Sequence, residues 1–381
     1  MTLFAAEGSD GADARHVFPS VVPDPRLTNP IIALKARLRQ TGPVSALTTR
    51  VDAFQRRHRW AGLPIAVVYK FFDDQGSYLS ALIAYYGIVS LFPLLLLLTS
   101  VLGFVLQGDP ALQQRILHSA LSEFPVIGPQ ITAPSGLRGS GIAVLVGAVG
   151  AVYGSIGVAQ AVQNAMNVAW AIPRNSRPNP VKARLRSLVL LGTAGLAVLG
   201  ATVLTGLTTN LGAAGAHLGI LTTVAATLGS VALNAVVFVM AFRIGVAQQQ
   251  SWRQVAPGAV TAAVLWQVLQ SIGTAYVQHV VKNTSETTGA FAFVLALIAW
   301  LYLASVSLVV AVEINVVLSK NLTPRALLTP FTDNVDLTHG DRRTYADAAR
   351  AQRTKGFETV DVTFDRDGQN ASDPPGDNAT G

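Results

Sequence analysis

Residues 79–106 read LSALIAYYGIVSLFPLLLLLTSVLGFVL, 28 consecutive positions without a charged side chain. A hydrocarbon slab about 30 Å thick is crossed by roughly 20 apolar helical residues, so this stretch spans a bilayer with some tilt. Pro93 sits in its middle, where a soluble helix would break. In lipid, neighbouring helices satisfy the freed carbonyl, and the proline is expected to kink the helix without ending it. The stretch therefore makes the bilayer the solvent for the whole chain.

Composition agrees. Half of the residues are hydrophobic, 13% are charged and the mean hydropathy is +0.42. A soluble domain carries about 25% charged residues. Between Gln75 and Ser319 there are ten Lys or Arg and four acids, Asp109, Glu123, Glu286 and Glu313. The net charge of +7 thus reflects topology and not nucleic-acid binding. With no cysteine, disulfides, thiolate metal sites and cysteine nucleophiles are excluded. No signal peptide is legible in residues 1–78, so the first span itself would act as the targeting signal.

Five further apolar segments follow, at 141–169, 187–208, 219–244, 257–280 and 289–318. The expected fold is an all-α membrane protein, a six-transmembrane-helix bundle. Basic residues collect on one side of it: nine in Arg26–Lys70 against the acid Asp52, then Arg174, Arg177, Lys182, Arg184 and Arg186. Arg243, Arg253, Lys320 and Arg325 join them, whereas the other side has Arg115, Arg138 and Lys282. The positive-inside rule then places both termini in the cytoplasm. The expected organisation is a polar, basic region (1–62), the membrane domain (63–320) and a cytoplasmic, acidic tail (321–381) that reads as disordered.

Arg56, Arg57, Arg59 and Lys70 precede the first span and suit anionic lipid headgroups, at about 1 kcal/mol per cation near the surface. The competing view is ordinary topogenic charge. Residues 63–72 read as a short interfacial helix carrying Tyr69, Phe71 and Phe72, with Trp60 just ahead of it.

Polar residues inside a membrane are costly, and their placement carries the functional signal. In the second span Tyr153, Gly157, Gln160, Asn164 and Asn167 recur every three or four residues and so share a helical face. The sixth span holds Glu313, the one acid within any of the expected spans, with Tyr302 on nearly the same face. Asn315 points the other way. The first span enters with Tyr85, Tyr86 and Ser90 ahead of the Pro93 kink. Together these predict a polar vestibule open to the cytoplasm, made of Tyr85, Tyr86, Ser90, Gln160, Asn164, Asn167, Tyr302 and Glu313. The Glu313 carboxyl must be protonated or paired there, and Arg243 is the expected partner. The structural alternative is that the amides only tie helices together, at about 1 kcal/mol each, while Glu313 reaches the interface. Small residues at Gly147, Ala151, Ser155 and Ala159, and at Gly150 and Gly154, predict close helix packing.

Three stretches carry a family resemblance: ALIAYYGIVSLFPLLLLL (81–98), AVQNAMNVAW (161–170) and GAFAFVLALIAWLYLASVSLVVAVEINVVL (289–318). The chain resembles the YihY/BrkB family of bacterial inner-membrane proteins, once labelled ribonuclease BN-like, over about residues 65–320. Its long N-terminal segment and tail look most like the YhjD-type branch. The resemblance implies six spans, the bacterial cytoplasmic membrane and a role in envelope integrity, with no catalytic residues to carry over. The nuclease label does not fit the residues. Six scattered histidines and one intramembrane acid cannot supply converging ligands for two metal ions about 3.5–4 Å apart. No catalytic triad, paired acids or phosphate loop ending in Gly-Lys-Ser/Thr is present. The expectation is therefore no enzyme, no metal and no cofactor. A transporter or flippase-like protein for a lipid or envelope precursor leads, with a non-transporting scaffold as the alternative.

Overall fold

In the computed structural model the described residues are 59–105, 141–179, 181–193, 219–279, 286–327 and 337–364, with isolated positions at 55, 57, 195 and 329. Among them there is no strand. The helices are α1 (Arg59–Asp73), α2 (Gly76–Val105), α3 (Gly141–Ala169), α4 (Gly219–Gly245), α5 (Trp252–His279), α6 (Glu286–Lys320) and α7 (His339–Ala351). Residues 181–193 are helical as well. Residues 79–105 of the apolar stretch lie in α2, which is continuous through Pro93. Of the span expected at 187–208, the part beyond 195 lies outside the described residues.

Stretches of α3, α4, α5 and α6, namely Leu145–Ala169, Thr227–Gly245, Trp252–Tyr276 and Ala292–Lys320, are long and apolar enough to cross a membrane. Their outward faces show what surrounds them. Leu145, Val149 and Val152 on α3 are exposed, as are Val294, Leu295 and Ile298 on α6. A soluble protein rarely exposes contiguous apolar area of this extent, and in lipid it costs nothing.

α6 is the central element, packed against α1, α2, α3 and α5. α2 and α3 lie closest together because α3 offers no side chain where they touch. A Cβ on Gly154 would overlap Ser90, and one on Gly150 would meet Pro93 at 2.8 Å. The small-residue pattern read from the sequence is thus used for close packing. α5 and α6 cross in the same way: Gly258 lies against the Ala311 carbonyl, and its N–H donates to Asn315 Oδ1 at 2.6 Å. This crossing turns Asn315 toward α5 and leaves Glu313 facing α1.

Two expectations are corrected here. First, the face of α1 that carries Lys70 packs into the bundle and does not meet lipid headgroups. Ala66, Val67 and Lys70 are buried, and Ala66 and Val67 join a core that includes Val312, Val316 and Val317 of α6. Its other face, with Val68 and Phe72, is exposed. Second, the tail contains a helix, α7, packed on the body through Arg325. α7 opens on a capping box in which the Thr338 side chain accepts from the Asp341 N–H and Asp341 accepts from the Thr338 N–H. Composition suggested disorder because ten acids face six bases over 333–381. It could not show that one of those acids, Asp341, is buried against Arg325. Residues 365–381 lie outside the described set.

Candidate functional site: a charged pocket at one end of the bundle

The segments rich in Lys and Arg meet at one end of the bundle, held by long-range hydrogen bonds. Arg186 donates to the Val246 carbonyl at 3.1 Å, and the Ala247 N–H donates to Asn167 Oδ1 at 2.9 Å. Lys320 Nζ donates to the Trp170 carbonyl at 2.9 Å and to Asp347 Oδ2 at 2.9 Å. The connections after α3, α4 and α6 therefore lie side by side.

Helices α3 and α6 end there in the same manner. Ala171 and Asn321 both take left-handed backbone, with φ of 52° and 51°. The Ile172 N–H reaches back to the Asn167 carbonyl at 2.9 Å, and the Leu322 N–H to the Val317 carbonyl at 3.0 Å. These are Schellman closures, with Ile172 and Leu322 buried beneath them. Gln75, between α1 and α2, is likewise left-handed at φ 56°.

A cavity of about 470 Å³ lies among these ends. Lys70, Asp73 and Asp74 form one wall, Asn164, Arg174 and Arg177 another, and Lys320 and Asp347 a third. Leu79, Val168 and Ala351 contribute apolar surface. Behind it Glu313 is completely buried, with its Oε2 3.8 Å from Lys70 Nζ. Lys70 also donates to Asp74 and, at 3.1 Å, to the Ala169 carbonyl. Burial acts to lower the Lys70 pKa, but Glu313, Asp74 and Asp73 outweigh it and hold the ammonium above its ordinary value.

A second buried cation closes the far side. Arg325 donates to Asp341 Oδ1 at 2.6 Å, to Asp73 Oδ2 at 2.8 Å and to Thr344 Oγ1 at 3.3 Å. Tyr69 and Tyr345 flank it. Asp73 on α1 and Asp341 on α7 are thus joined through one guanidinium.

The structure divides the expected vestibule. Tyr85 is 60% exposed and Gln160 is exposed, so both face outward from the bundle. Tyr153, of the same α3 stripe, is 71% exposed. Tyr86 packs on Gly157, and Ser90 is buried and donates to the Gly87 carbonyl at 2.9 Å. Tyr302 is half-buried. Asn167 ties α3 to the segment after α4, while Asn164 reaches the cavity and accepts from Arg177 at 3.1 Å. Equal depth along the chain direction did not mean a shared face. Arg243 is not the partner of Glu313. It donates to the Gln250 carbonyl at 3.1 Å and stacks 4.1 Å over Trp252, so Lys70 is the nearest cation. Lys70 is correspondingly not a headgroup contact, being 4% exposed. Arg57 is exposed, whereas Arg56 and the Arg59 side chain lie outside the described residues.

Sequence reasoning missed Asp73, Asp74, Asp341 and Asp347. Lys70 and Asp74, four apart on what reads as a helix, were the available signal.

Long apolar helices with outward-facing apolar side chains and charge gathered at one end define a polytopic helical membrane protein. The profile of the Virulence factor BrkB family matches residues 67–334, and the chain belongs to that family. Comparison with curated proteins and with solved structures gives no match.

Proposed function

We propose that this chain is a six-span protein of the bacterial cytoplasmic membrane, with both termini cytoplasmic, that moves a lipid or other amphipathic envelope component as a transporter or flippase-like protein. The N-terminal segment and tail favour the YhjD-type branch of its family. The observation that carries the reading is the 470 Å³ cavity backed by the buried Lys70–Glu313 pair. An intramembrane acid held against a cation beside a polar cavity is the usual setting of a substrate or ion pathway. Six spans with both termini on one side also divide into two halves of opposite orientation, as inverted-repeat transporters do, although the halves share no clear sequence similarity. The reading assigns no catalysis, cofactor or nucleic-acid partner, and membrane lipids are the expected company of the basic end.

A scaffold role is favoured by a different observation: Lys70, Lys320 and Arg325 are each engaged by an acid, as in a purely structural network. Reconstitution in liposomes separates the two. Movement of a labelled phospholipid by the wild type that is lost in Glu313→Gln and Asn164→Ala supports transport. Unchanged movement in both variants removes the site from that role. Rescue of a deletion strain by Glu313→Gln but not by a chain ending at Lys320 would favour the scaffold.

A further inference from the structure

We propose that the Arg174–Arg177 wall of this cavity is a binding site for a phosphate group, carried on an amphipathic molecule or free in solution. The inference deepens the transport reading and rests on it for the choice of cargo.

The charges around the cavity are unevenly paired: Lys70 serves both Asp74 and Glu313, and Arg325 serves both Asp73 and Asp341. Asp74 is taken by Lys70, Asp73 by Arg325 and Asp347 by Lys320. The carbonyls at the end of α3 are engaged too, Ala169 by Lys70 and Trp170 by Lys320. Every carboxylate that lines the cavity thus has its cation. Among the described residues, Arg174 and Arg177 have no acid. They sit three apart across a single turn of 3-10 helix, Arg174–Ser176, with the Arg177 N–H on the Arg174 carbonyl. Both line the cavity. Burial and the neighbouring Arg174 lower the pKa of Arg177, as expected for adjacent cations that lack an anion.

Arg177 is also held in place. Its Nε donates to the Ile172 carbonyl at 3.2 Å, and one Nη donates to Asn164 at 3.1 Å. A guanidinium has five N–H donors in a fixed fork, so the remaining edge of a positioned fork is left for an oxyanion. Bidentate arginine is the common solution for phosphate, and two arginines suit its three free oxygens. The volume exceeds what one phosphate fills and lies in the range of small-molecule sites. The apolar surface of Leu79, Val168 and Ala351 suits the first carbons of a chain attached to that phosphate.

The test uses the full chain purified in an uncharged detergent, with native mass spectrometry as the readout. The probes are lysophosphatidic acid, uncharged monoacylglycerol of the same chain and inorganic phosphate. One lysophosphatidic acid should be retained per chain, monoacylglycerol should not, and Arg174→Glu should weaken retention tenfold or more. Arg174 is exposed and its side chain makes no hydrogen bond among the described residues, so the fold should survive this change. Arg177→Lys, which keeps the charge but loses the fork, should weaken retention less. Displacement by millimolar inorganic phosphate would mark a site for the free anion, and resistance to it would mark a lipid headgroup; both support the site. Equal retention by wild type and Arg174→Glu, or equal retention of monoacylglycerol, overturns it. Binding and movement separate cleanly. Retention without lipid movement in liposomes leaves the site standing and removes transport, and movement without retention does the reverse.

Discussion

Lys70 Nζ lies 3.8 Å from Glu313 Oε2, in a pair whose side chains are 5% and 0% exposed. The contact joins α1, ahead of α2, to α6, the last long helix. Both Glu313 carboxyl oxygens are buried without a hydrogen-bond partner among the described residues, and the Lys70 ammonium that approaches them is shared with Asp74.

Breaking such a pair from one side leaves an uncompensated buried charge, at a cost of about 3–5 kcal/mol. Lys70→Met should therefore destabilise strongly, and Glu313→Gln less, because Asp74 still holds the ammonium. In Lys70→Met/Glu313→Gln the combined loss should fall below the sum of the two. Thermal unfolding in detergent across this double-mutant cycle checks the coupling, and strict additivity would dismiss it.

The same ammonium sets an alkaline limit. Its pKa in the folded chain lies above the ordinary 10.5. The folded state then holds the proton more tightly than the unfolded one, so the contribution is complete below about 10.5 and is lost as pH rises through the folded value. Stability of the wild type should drop more steeply above pH 10.5 than that of Lys70→Met. Parallel pH curves for the two would count against the assignment.

α7 is held to the body by Arg325, which links Asp341 to Asp73. Arg325→Met should free residues 337–351 while the long helices stay folded, with protease sensitivity rising there first. Thr338→Ala removes half of the capping box and should cost about 1 kcal/mol locally. Hydrogen exchange of α7 reads both effects.

Gly258 is the point of closest approach of α5 to α6. Gly258→Ala places a methyl group against the Ala311 carbonyl and the Asn315 amide, and should cost about 1–3 kcal/mol. Gly192→Ala meets open space and, as a helical Gly→Ala change, should be neutral or slightly stabilising. Denaturation midpoints of the two variants give the comparison directly.

Most of the helices were legible because membrane hydropathy is a local, cumulative signal. The expected 141–169 coincides with α3, and 219–244 falls one residue short of α4. The stripe on α3 was legible as a periodicity, but periodicity does not say which way a stripe points. Gln160 and Tyr153 turned outward, and Asn164 and Asn167 turned in. The folded tail was hidden for a related reason. Charge count treats Asp341 and Asp347 as solvated, whereas each has a cation at 2.6 and 2.9 Å.

The sequence by itself determined the solvent of this protein, its all-helical class and the asymmetry of its charge, since these depend only on which residues follow one another over about 20 positions. The tertiary structure decided the partners. Lys70 with Glu313, Arg325 with Asp73 and Lys320 with Asp347 are pairings between separate elements. Which cation meets which acid depends on how the helices rotate and end, and that is fixed by close contacts such as Gly154 on Ser90 and Gly258 on Asn315. Those contacts are made only when the chain has folded, which is why Arg243 read as the partner and Lys70 proved to be it.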